Sequence, residues 1–382
     1  MNRAMQTSLG ALLLGVIWAA PLAAQGSVST QGFGYPTGGL STRAASAGGA
    51  FAEFDFATAR NPSSLLGWGR GGVYMQYDPE FRSVRAPGGS EDAVLARFPM
   101  TMAAAQVGAR GIAAVSFSTL LDRTWATRVR GGQILGPDSV GYLETVESTG
   151  AINDLRLALA YSVSSTLSVG AGVHGVTGGN RMLLVRTFDD SLKYGTLVRG
   201  LTLSYLGSAV SFGATWRPSS DLAMAASARL GGNLDLRIGD ELAASASVPA
   251  RLGFSVRYDG LPGASVAFTA EQTSWSDMQG LSVSGTSLVA HDAWEYGAGA
   301  ELSGPRVRGV PALISLGYRQ RDLPFSIGPG AVAERFLAAG LGIPIAGPRA
   351  IFDLGMQRAS RGSIGGVRET AVILSFGLTI RP

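Results

Sequence analysis

Alternation of apolar with polar or small residues constrains the fold of this chain more than any other feature of its sequence. From Val248 to Tyr258 every second residue is apolar, and those between are mostly small, polar or charged. The segments Leu155 to Tyr161 and Glu369 to Ile380 repeat this pattern. Successive side chains of a strand point to opposite faces, so each segment has one apolar and one polar face. The pattern favours an all-β fold.

Fourteen segments carry the alternation, each near the roughly 9–11 residues that a tilted strand needs to cross a bilayer. We predict strands at 73–83, 97–108, 112–123, 151–162, 167–177, 208–217, 222–232, 248–258, 264–275, 293–302, 312–320, 334–343, 349–358 and 369–380. Residues 196–205 form either a further strand or an extension into a loop. The odd-numbered connections are longer than their neighbours, as extracellular loops are longer than periplasmic turns. The sequence therefore predicts a transmembrane antiparallel β-barrel of about 14 strands, with both chain ends on the periplasmic side.

The first 24 residues have the features of a cleaved export signal. Arg3 supplies positive charge, Leu9 to Trp18 is a short apolar run, and Pro21 to Gln25 resembles a signal-peptidase site. The run is shorter than the roughly 20 apolar residues of a membrane helix. We therefore predict a signal peptide at residues 1–24 and localisation of the chain in the bacterial outer membrane.

Composition argues against several other classes of protein. With 31 basic and 27 acidic residues, the chain lacks the basic footprint of a nucleic-acid-binding protein. It has no cysteine, and His174 and His291 lack metal-ligand spacing, so we predict neither a metal nor a cofactor. The pattern G-x-G-x-x-G at 170–175 lies inside a predicted strand, which argues against dinucleotide binding. Without a G-x-S-x-G elbow, we expect no enzyme and no catalytic residues.

Charged side chains gather on the face of the predicted strands that is opposite to the apolar face. Five of them are Arg156, Arg251, Arg257, Glu271 and Glu301. If a turn pairs Tyr258 with Ala264, Arg251 lies directly across from Glu271. Opposite charges across an antiparallel pair stabilise it by ~0.2–1 kcal/mol. We interpret these residues as a polar ladder that braces the lumen.

Residues 25–72 differ in character from the predicted barrel, residues 73–382. They are rich in Gly, Ala and Ser and alternate poorly. The segment is too short to be a domain and too apolar to be a free tail, so we expect it to plug the lumen. At the outer rim, Arg123, Arg128 and Arg130 are candidates for contact with lipopolysaccharide phosphates, because arginine binds phosphate through two parallel hydrogen bonds. An ordinary solvated loop is the alternative for these arginines.

Several motifs resemble one family of outer-membrane barrels. Gly48 to Phe51, then Asp55, then Ala59 to Leu65 with Asn61 and Pro62, resemble the hatch segment of the FadL-like long-chain fatty-acid transporters. Further similarities follow in order along the chain, at Val248–Tyr258, Thr273–Asp277 and Gly317–Tyr318. The chain has Ser63 where the family has alanine, and it ends without a terminal aromatic residue.

The resemblance implies a fourteen-stranded barrel closed by an N-terminal hatch, whose motif here comprises Phe51, Asp55, Asn61 and Pro62. It also implies passive uptake of long-chain fatty acids or aromatic hydrocarbons, captured outside and released sideways into the membrane. The expected partners are this hydrophobic ligand, outer-membrane lipid and lipopolysaccharide. A related branch of barrels serves secretion or protein binding, so a secreted-protein partner is the alternative.

Overall fold

The computed structural model describes residues 28–86, 89–281, 289–326, 330–364 and 366–382. Within these ranges fourteen antiparallel strands form a closed barrel, in which each strand pairs with its neighbours in sequence and β14 returns to pair with β1. The strands are β1 (Gly71–Ala86), β2 (Gly89–Arg97 and Met100–Val107), β3 (Gly111–Asp122 and Trp125–Leu135), β4 (Asp138–Ser162), β5 (Leu167–Phe188), β6 (Leu197–Trp216), β7 (Leu222–Ile238), β8 (Glu241–Ser247 and Arg251–Leu261), β9 (Ala264–Thr273), β10 (Ala293–Val307), β11 (Val310–Leu323), β12 (Val332–Pro348), β13 (Ala350–Ile364) and β14 (Val367–Ile380).

The other elements are short. Before the barrel lie a two-residue strand (Tyr35–Pro36), helix α1 (Thr42–Ser46) and a 3-10 helix (Pro62–Trp68). The connection between β9 and β10 holds a second 3-10 helix (Trp275–Leu281) and the strand Val289–Ala290, which pairs with Phe325–Ser326. Of the helices described, none has both the length and the apolar character needed to cross a membrane.

All fourteen predicted strands are present, but the predicted lengths are wrong at one end of the barrel. Strands β4, β5 and β6 have 25, 22 and 20 residues, and residues 197–205 belong to β6. The long connection predicted before residue 151 is mostly a hairpin, with only residues 136–137 between β3 and β4. The predicted lengths correspond to the roughly 9–11 residues that cross a bilayer, whereas backbone pairing in β4, β5 and β6 continues over 25, 22 and 20 residues. We call the end with the odd-numbered connections the loop end, and the other end the turn end.

The outer face of the barrel is apolar. Leu155, Leu157 and Leu159 of β4 are exposed there, whereas Arg156 and Ala158 between them are buried inside. Monomeric proteins in water rarely expose such continuous apolar surfaces, so this face is suited to lipid. Five exposed aromatic residues lie near the ends of their strands: Tyr161, Trp216 and Tyr258 near the turn end, and the stacked pair Trp294 and Tyr296 near the loop end.

Candidate functional site in the barrel lumen

The N-terminal segment, residues 28–70, contacts inward-facing side chains on several sides of the barrel. Its hydrogen bonds and ion pairs to the wall include Ser29 with Glu369 of β14, Tyr35 with Glu334 of β12, Arg43 with Glu301 of β10 and Asn61 with Thr215 of β6. Because these strands surround the lumen, the segment lies across it. The signal peptide predicted at 1–24 falls outside the described residues.

Glycine allows this segment to approach the wall closely. Gly48 has φ +64°, and a Cβ atom there would lie 2.6 Å from the backbone nitrogen of Tyr318. In the wall, a Cβ at Gly297 or Gly317 would overlap the backbone of residues 47–48. Such contacts between backbones tolerate only glycine. The small-residue run of the segment and the glycines of β10 and β11 therefore form one packed interface.

Asn61 and Pro62 begin the 3-10 helix of the segment against β6. The Asn61 side chain accepts a hydrogen bond from the Ser63 backbone N–H at 2.9 Å, as an N-cap residue does. Its amide donates to the Glu53 carbonyl at 2.9 Å and to Thr215 Oγ1 at 3.4 Å. Pro62 occupies the first helical position, where no N–H is needed. This motif therefore joins a fold within the segment to the barrel wall.

The two other residues of the predicted hatch motif lie elsewhere in the segment. Asp55 accepts hydrogen bonds from the Ala57 backbone N–H at 2.9 Å and from the Ser41 hydroxyl. Phe51 is buried, and the Arg257 guanidinium lies 5.7 Å from its ring centre. Asp55 thus stabilises the segment internally, while Phe51 packs against β8.

Arg60 connects the segment to the wall through several polar contacts. Its guanidinium contacts Glu271, lies 3.4 Å from Glu295 Oε1, and donates to the Gly38 carbonyl at 2.8 Å. Its own carbonyl accepts a hydrogen bond of 2.6 Å from Arg251 Nη2. Burial lowers the pKa of Arg60 to about 10, and the carboxylate of Glu295 acts in the opposite direction. At neutral pH Arg60 therefore keeps its charge.

The structure places the five predicted lumen charges inside the barrel without joining them into one ladder. Arg251 Nη1 donates to Glu271 Oε2 at 2.9 Å, although Arg251 lies opposite Thr273 in the register rather than opposite Glu271. The predicted register is wrong by two residues because β8 continues to Leu261 through a register shift. The remaining charges have separate partners: Glu301 with Arg43, Arg257 with Asp259, and Arg156 with Ser116.

A second charged cluster was missed by the sequence argument. Arg361 is fully buried and contacts Glu80 at 3.0 Å, Glu334 at 2.6 Å and also Glu369. Further arginines surround the same carboxylates: Arg82, Arg97 and Arg321. The inward parity of Glu80, Glu334 and Glu369 was available in the sequence, but the register that places Glu334 and Glu369 directly across from Arg361 was not.

An apolar cluster fills the lumen towards the loop end. It comprises Phe33, Leu120, Leu121, Ile152, Val176, Leu203, Tyr205, Ala209, Leu234, Leu236, Val248, Trp275, Met278, Leu281, Ala290, Ala293 and Phe325. We call it the upper cluster. Phe33 of the N-terminal segment and Trp275 of the second 3-10 helix both pack on Phe325, with ring centres 4.5 Å and 5.8 Å apart. Leu234 and Leu236 of β7 were not predicted to face the lumen, because that strand was predicted to end at residue 232.

Two cavities adjoin the N-terminal segment. One of about 80 Å³ lies towards the loop end, between the segment and the upper cluster, and Arg60, Ser118, Asp154 and Trp275 are among its lining residues. Another, of about 190 Å³, lies towards the turn end beside Arg43, Asp55, Tyr74, Pro344 and Asp353. The segment therefore separates two spaces within the barrel.

The barrel wall is split between β2 and β3 towards the loop end. The two strands pair only as far as Met100 and Ser118, with one more hydrogen bond from the Thr119 N–H to the Pro99 carbonyl. Beyond this point Gly89–Arg97 pairs with β1 and Trp125–Leu135 pairs with β4, and no described ladder joins them. We call this gap the seam.

Two features lie across the base of the seam. The short strand Tyr35–Pro36 pairs with Leu121 and Asp122 at the edge of β3. Arg97 Nε, from β2, lies 2.6 Å from Asp122 Oδ2. The N-terminal segment thus provides backbone pairing for β3 where its neighbour in the wall has diverged.

The prediction that Arg123 lies at the outer rim is wrong. Arg123 is buried, hydrogen-bonded to Tyr205, with its guanidinium 4.2 Å from the ring centre of Phe33. It lies at the break in β3, where the chain turns its side chain inward. Arg128 and Arg130 are exposed. In the described ranges, no group of three metal-ligating side chains comes together.

Comparison with known proteins identifies the fold. Neither a scan of protein-family models nor a search of curated proteins gives a match. Among solved structures, a Pseudomonas aeruginosa FadL homologue aligns with TM-score 0.59 at 14% identity over 91% of this chain and 99% of its own. The Ralstonia pickettii toluene transporter TbuX gives 0.56 and 16% over 90% and 98%. The CymD monoaromatic hydrocarbon channel gives 0.54 and 15% over 90% and 98%. The chain therefore has the fold of FadL-like barrels.

Proposed function

We propose that the protein is an outer-membrane channel for passive uptake of hydrophobic small molecules, such as long-chain fatty acids or aromatic hydrocarbons. The observation that carries this proposal is the upper cluster, an apolar interior within a barrel whose outer face is also apolar. A water-filled pore would instead have a polar lining. The fold supports the proposal, since similar structures include a toluene transporter and a monoaromatic hydrocarbon channel.

The upper cluster is the proposed site of capture. A hydrophobic molecule that enters from the loop end would leave water for a surface of aliphatic and aromatic side chains, which is favourable by about 25 cal/mol per Å² of apolar surface buried. Phe33 and Trp275 contribute to this surface from the N-terminal segment and from the β9–β10 connection. Movement of either element would therefore change the binding site.

The seam is the proposed exit into the membrane. It begins near the base of the upper cluster, since Leu121 belongs to the cluster and pairs with Pro36 at the edge of β3 that borders the seam. Displacement of Tyr35–Pro36 would leave the edge of β3 unpaired and open the wall towards lipid. This proposal includes a hatch role for residues 25–72. Movement of the hatch around Asn61 and Pro62 would open the route. Transport of this kind follows the concentration gradient and requires no cofactor.

Mass spectrometry of organic extracts tests the proposed function. Protein purified in detergent is extracted beside an unrelated barrel from the same preparation. An enriched fatty acid or hydrophobic aromatic compound is expected and would identify the substrate class. An extract no richer than that of the unrelated barrel would contradict the proposal, and a stoichiometric protein partner in the preparation would favour the secretion-accessory alternative.

Polar substitution in the upper cluster should weaken ligand retention. Leu234 is fully buried there, and Leu234→Asn replaces an apolar side chain of similar size with an amide that loses water on ligand binding. We expect about tenfold weaker binding, since 1.4 kcal/mol corresponds to a factor of ten. The measurement is titration of purified protein with a fluorescent fatty acid. Leu242→Asn, at an exposed position of β8, is the matched control and should bind as the wild type does.

Deletion of residues 45–66 should alter uptake without abolishing membrane insertion. The barrel closes through pairing of β1 with β14, which does not involve these residues. The deletion removes Arg60 and Asn61, so Glu271 and Glu295 lose their contacts with Arg60. Uptake of labelled fatty acid by whole cells and outer-membrane fractionation are measured together. Normal insertion with unchanged uptake would count against a hatch.

A further inference from the structure

Three side chains on adjacent strands form a hydrogen-bonded chain that transport does not require. His174 Nδ1 of β5 lies 2.8 Å and 2.9 Å from the two carboxylate oxygens of Asp154 on β4. His174 Nε2 lies 2.8 Å from Ser211 Oγ on β6. The exposed fractions of Asp154, His174 and Ser211 are 6%, 6% and 1%. The arrangement is therefore enclosed in the lumen.

The register of the sheet explains this geometry. Residue 156 of β4 lies opposite His174, and His174 lies opposite Ala209 of β6. Asp154 lies two residues from residue 156, and Ser211 lies two residues from Ala209, so both face inward like His174. Along the barrel axis they lie on opposite sides of His174. The imidazole therefore spans a diagonal between a carboxylate and a hydroxyl. Gly172 of β5 lies directly across from Ser211 on one side, and Arg229 of β7 lies directly across from it on the other.

The hydrogen bonds fix the chemical role of each group. An ionised carboxylate can only accept, so Nδ1 of a neutral His174 carries the proton and Nε2 accepts from the Ser211 hydroxyl. This is the relation of orienting acid, base and nucleophile in serine hydrolases, which is recognised by geometry rather than by position in the sequence. Arg229 Nη1 lies 3.6 Å from Asp154 Oδ2 and favours its charged form. The absence of a G-x-S-x-G elbow argues against the α/β-hydrolase fold, but it does not argue against a serine nucleophile held by another fold.

A buried arginine beside this chain has two guanidinium nitrogens without a hydrogen-bond partner among the described residues. Arg156 is 1% exposed and lies opposite His174 in the register. Its Nε donates to Ser116 Oγ at 3.2 Å, but its Nη1 and Nη2 atoms have no partner among the described residues. A buried cation with free donors is costly unless a ligand or a developing negative charge meets it. Arg156, directly across from His174, therefore provides donors for a negatively charged oxygen of a substrate bound beside His174.

The surroundings define the class of substrate. On each of the three strands, the next inward-facing residue towards the loop end belongs to the upper cluster. These residues are Ile152 beside Asp154, Val176 beside His174 and Ala209 beside Ser211. The smaller cavity is lined by Asp154 and Arg229. An apolar chain in the upper cluster would thus end beside the serine. A carboxylic ester of a hydrophobic chain fits this arrangement of apolar and polar groups.

We propose that the lumen hydrolyses carboxylic esters of hydrophobic chains, with Ser211 as nucleophile, His174 as base and Asp154 as its orienting group. Ser211 Oγ attacks the carbonyl carbon as its proton passes to His174 Nε2. The bond between the carbonyl carbon and the alcohol oxygen then breaks, and the alcohol leaves with that proton. Water repeats the sequence on the acyl-serine, which releases the carboxylic acid and restores the serine hydroxyl.

Access to Ser211 depends on the N-terminal segment. A Cβ atom at Gly213, one inward position from Ser211, would overlap the side chain of Asn61. The ester reaction therefore rests on the displacement of this segment that the transport proposal includes. The variant Asn61→Ala loosens the segment. If the wild type shows no hydrolysis, this variant distinguishes a site that is closed from a site that has no activity.

The test uses purified full-length protein in detergent, with p-nitrophenyl decanoate as substrate and a fluorophosphonate as serine label. We expect hydrolysis by the wild type or by Asn61→Ala, and label on the peptide that contains Ser211. Hydrolysis should fall to background in Ser211→Ala and by about 10²–10⁴-fold in His174→Gln. Ser255→Ala is the matched control, because Ser255 is also buried and inward-facing but pairs with the Thr269 hydroxyl. Heat-modifiable migration on gels reports whether each barrel is folded.

Two results would overturn the proposal. One is the absence of both hydrolysis and label in the wild type and in Asn61→Ala. The other is hydrolysis that persists in folded Ser211→Ala. Uptake of a ligand without an ester bond, measured in the same wild-type strain, distinguishes the two proposals, since uptake without hydrolysis would reject the esterase and leave transport intact.

Discussion

Joining the N-terminal segment to β3 by a disulfide, in Pro36→Cys/Leu121→Cys, should reduce uptake of hydrophobic ligand to the level of cells that lack the protein. Residues 36 and 121 are directly paired in the register. Opposed residues of an antiparallel pair have Cα atoms ~4.5–5.5 Å apart, within the range of disulfides. The chain has no cysteine of its own, so the introduced bond is the sole covalent cross-link. The lock holds the seam closed, and a reducing agent should restore uptake.

The control for this experiment is a second disulfide at the loop end. Ser360→Cys/Thr370→Cys joins β13 and β14 at an exposed pair where the wall is already continuous. It should leave uptake at the wild-type level under oxidising and reducing conditions alike. Equal uptake by the oxidised and reduced forms of the 36–121 variant, with the cross-link verified on gels, would show that ligand does not leave through the seam.

Replacement of Arg361 by methionine should destabilise the barrel by about 3–5 kcal/mol, the cost of leaving a buried charge without its partner. Arg361 contacts Glu80, Glu334 and Glu369, and the variant leaves these carboxylates buried with fewer positive neighbours. Glu334 also accepts a hydrogen bond from Tyr35, so the loss should loosen the strand at the seam. The measurement is guanidinium unfolding of detergent-solubilised protein.

Arg358→Met is the matched control for that measurement. Arg358 lies on the same strand, β13, but its side chain is exposed on the outer face. We expect a change within about 0.5 kcal/mol, as is usual for surface substitutions. If Arg361→Met unfolded at the same denaturant concentration as Arg358→Met, the surrounding arginines would suffice to neutralise the three glutamates, and Arg361 would not be the centre of the cluster.

The sequence predicted most of the wall because strand periodicity is a local property. A side chain in a strand faces inward or outward according to its parity alone, so the alternation of β4 and β8 was enough to place Arg156 and Arg251 in the lumen. The same parity placed Tyr161 and Trp216 outside. Strand lengths were predicted less well, because pairing partners, and not the bilayer, determine where β4 and β5 end.

The contacts inside the lumen could not be read from the sequence. Arg251 was expected directly opposite Glu271, yet a register shift near Leu261 makes their ion pair diagonal. Ser211 and Asp154 meet at His174 only because three strands are aligned by their backbone ladders. One residue of slip would turn these side chains to the other face. Such alignments depend on every turn and bulge between the strands.

By itself, the sequence determined the class of fold, the number of strands, the face of the side chains within the alternating segments and the distinct character of residues 25–72. These follow from composition and period, which act over a few residues. The tertiary structure alone decided which charges pair, where the wall separates between β2 and β3, and how Tyr35–Pro36 lies across that seam. Those features arise when a closed sheet brings together residues hundreds of positions apart, as it does for Ser29 and Glu369.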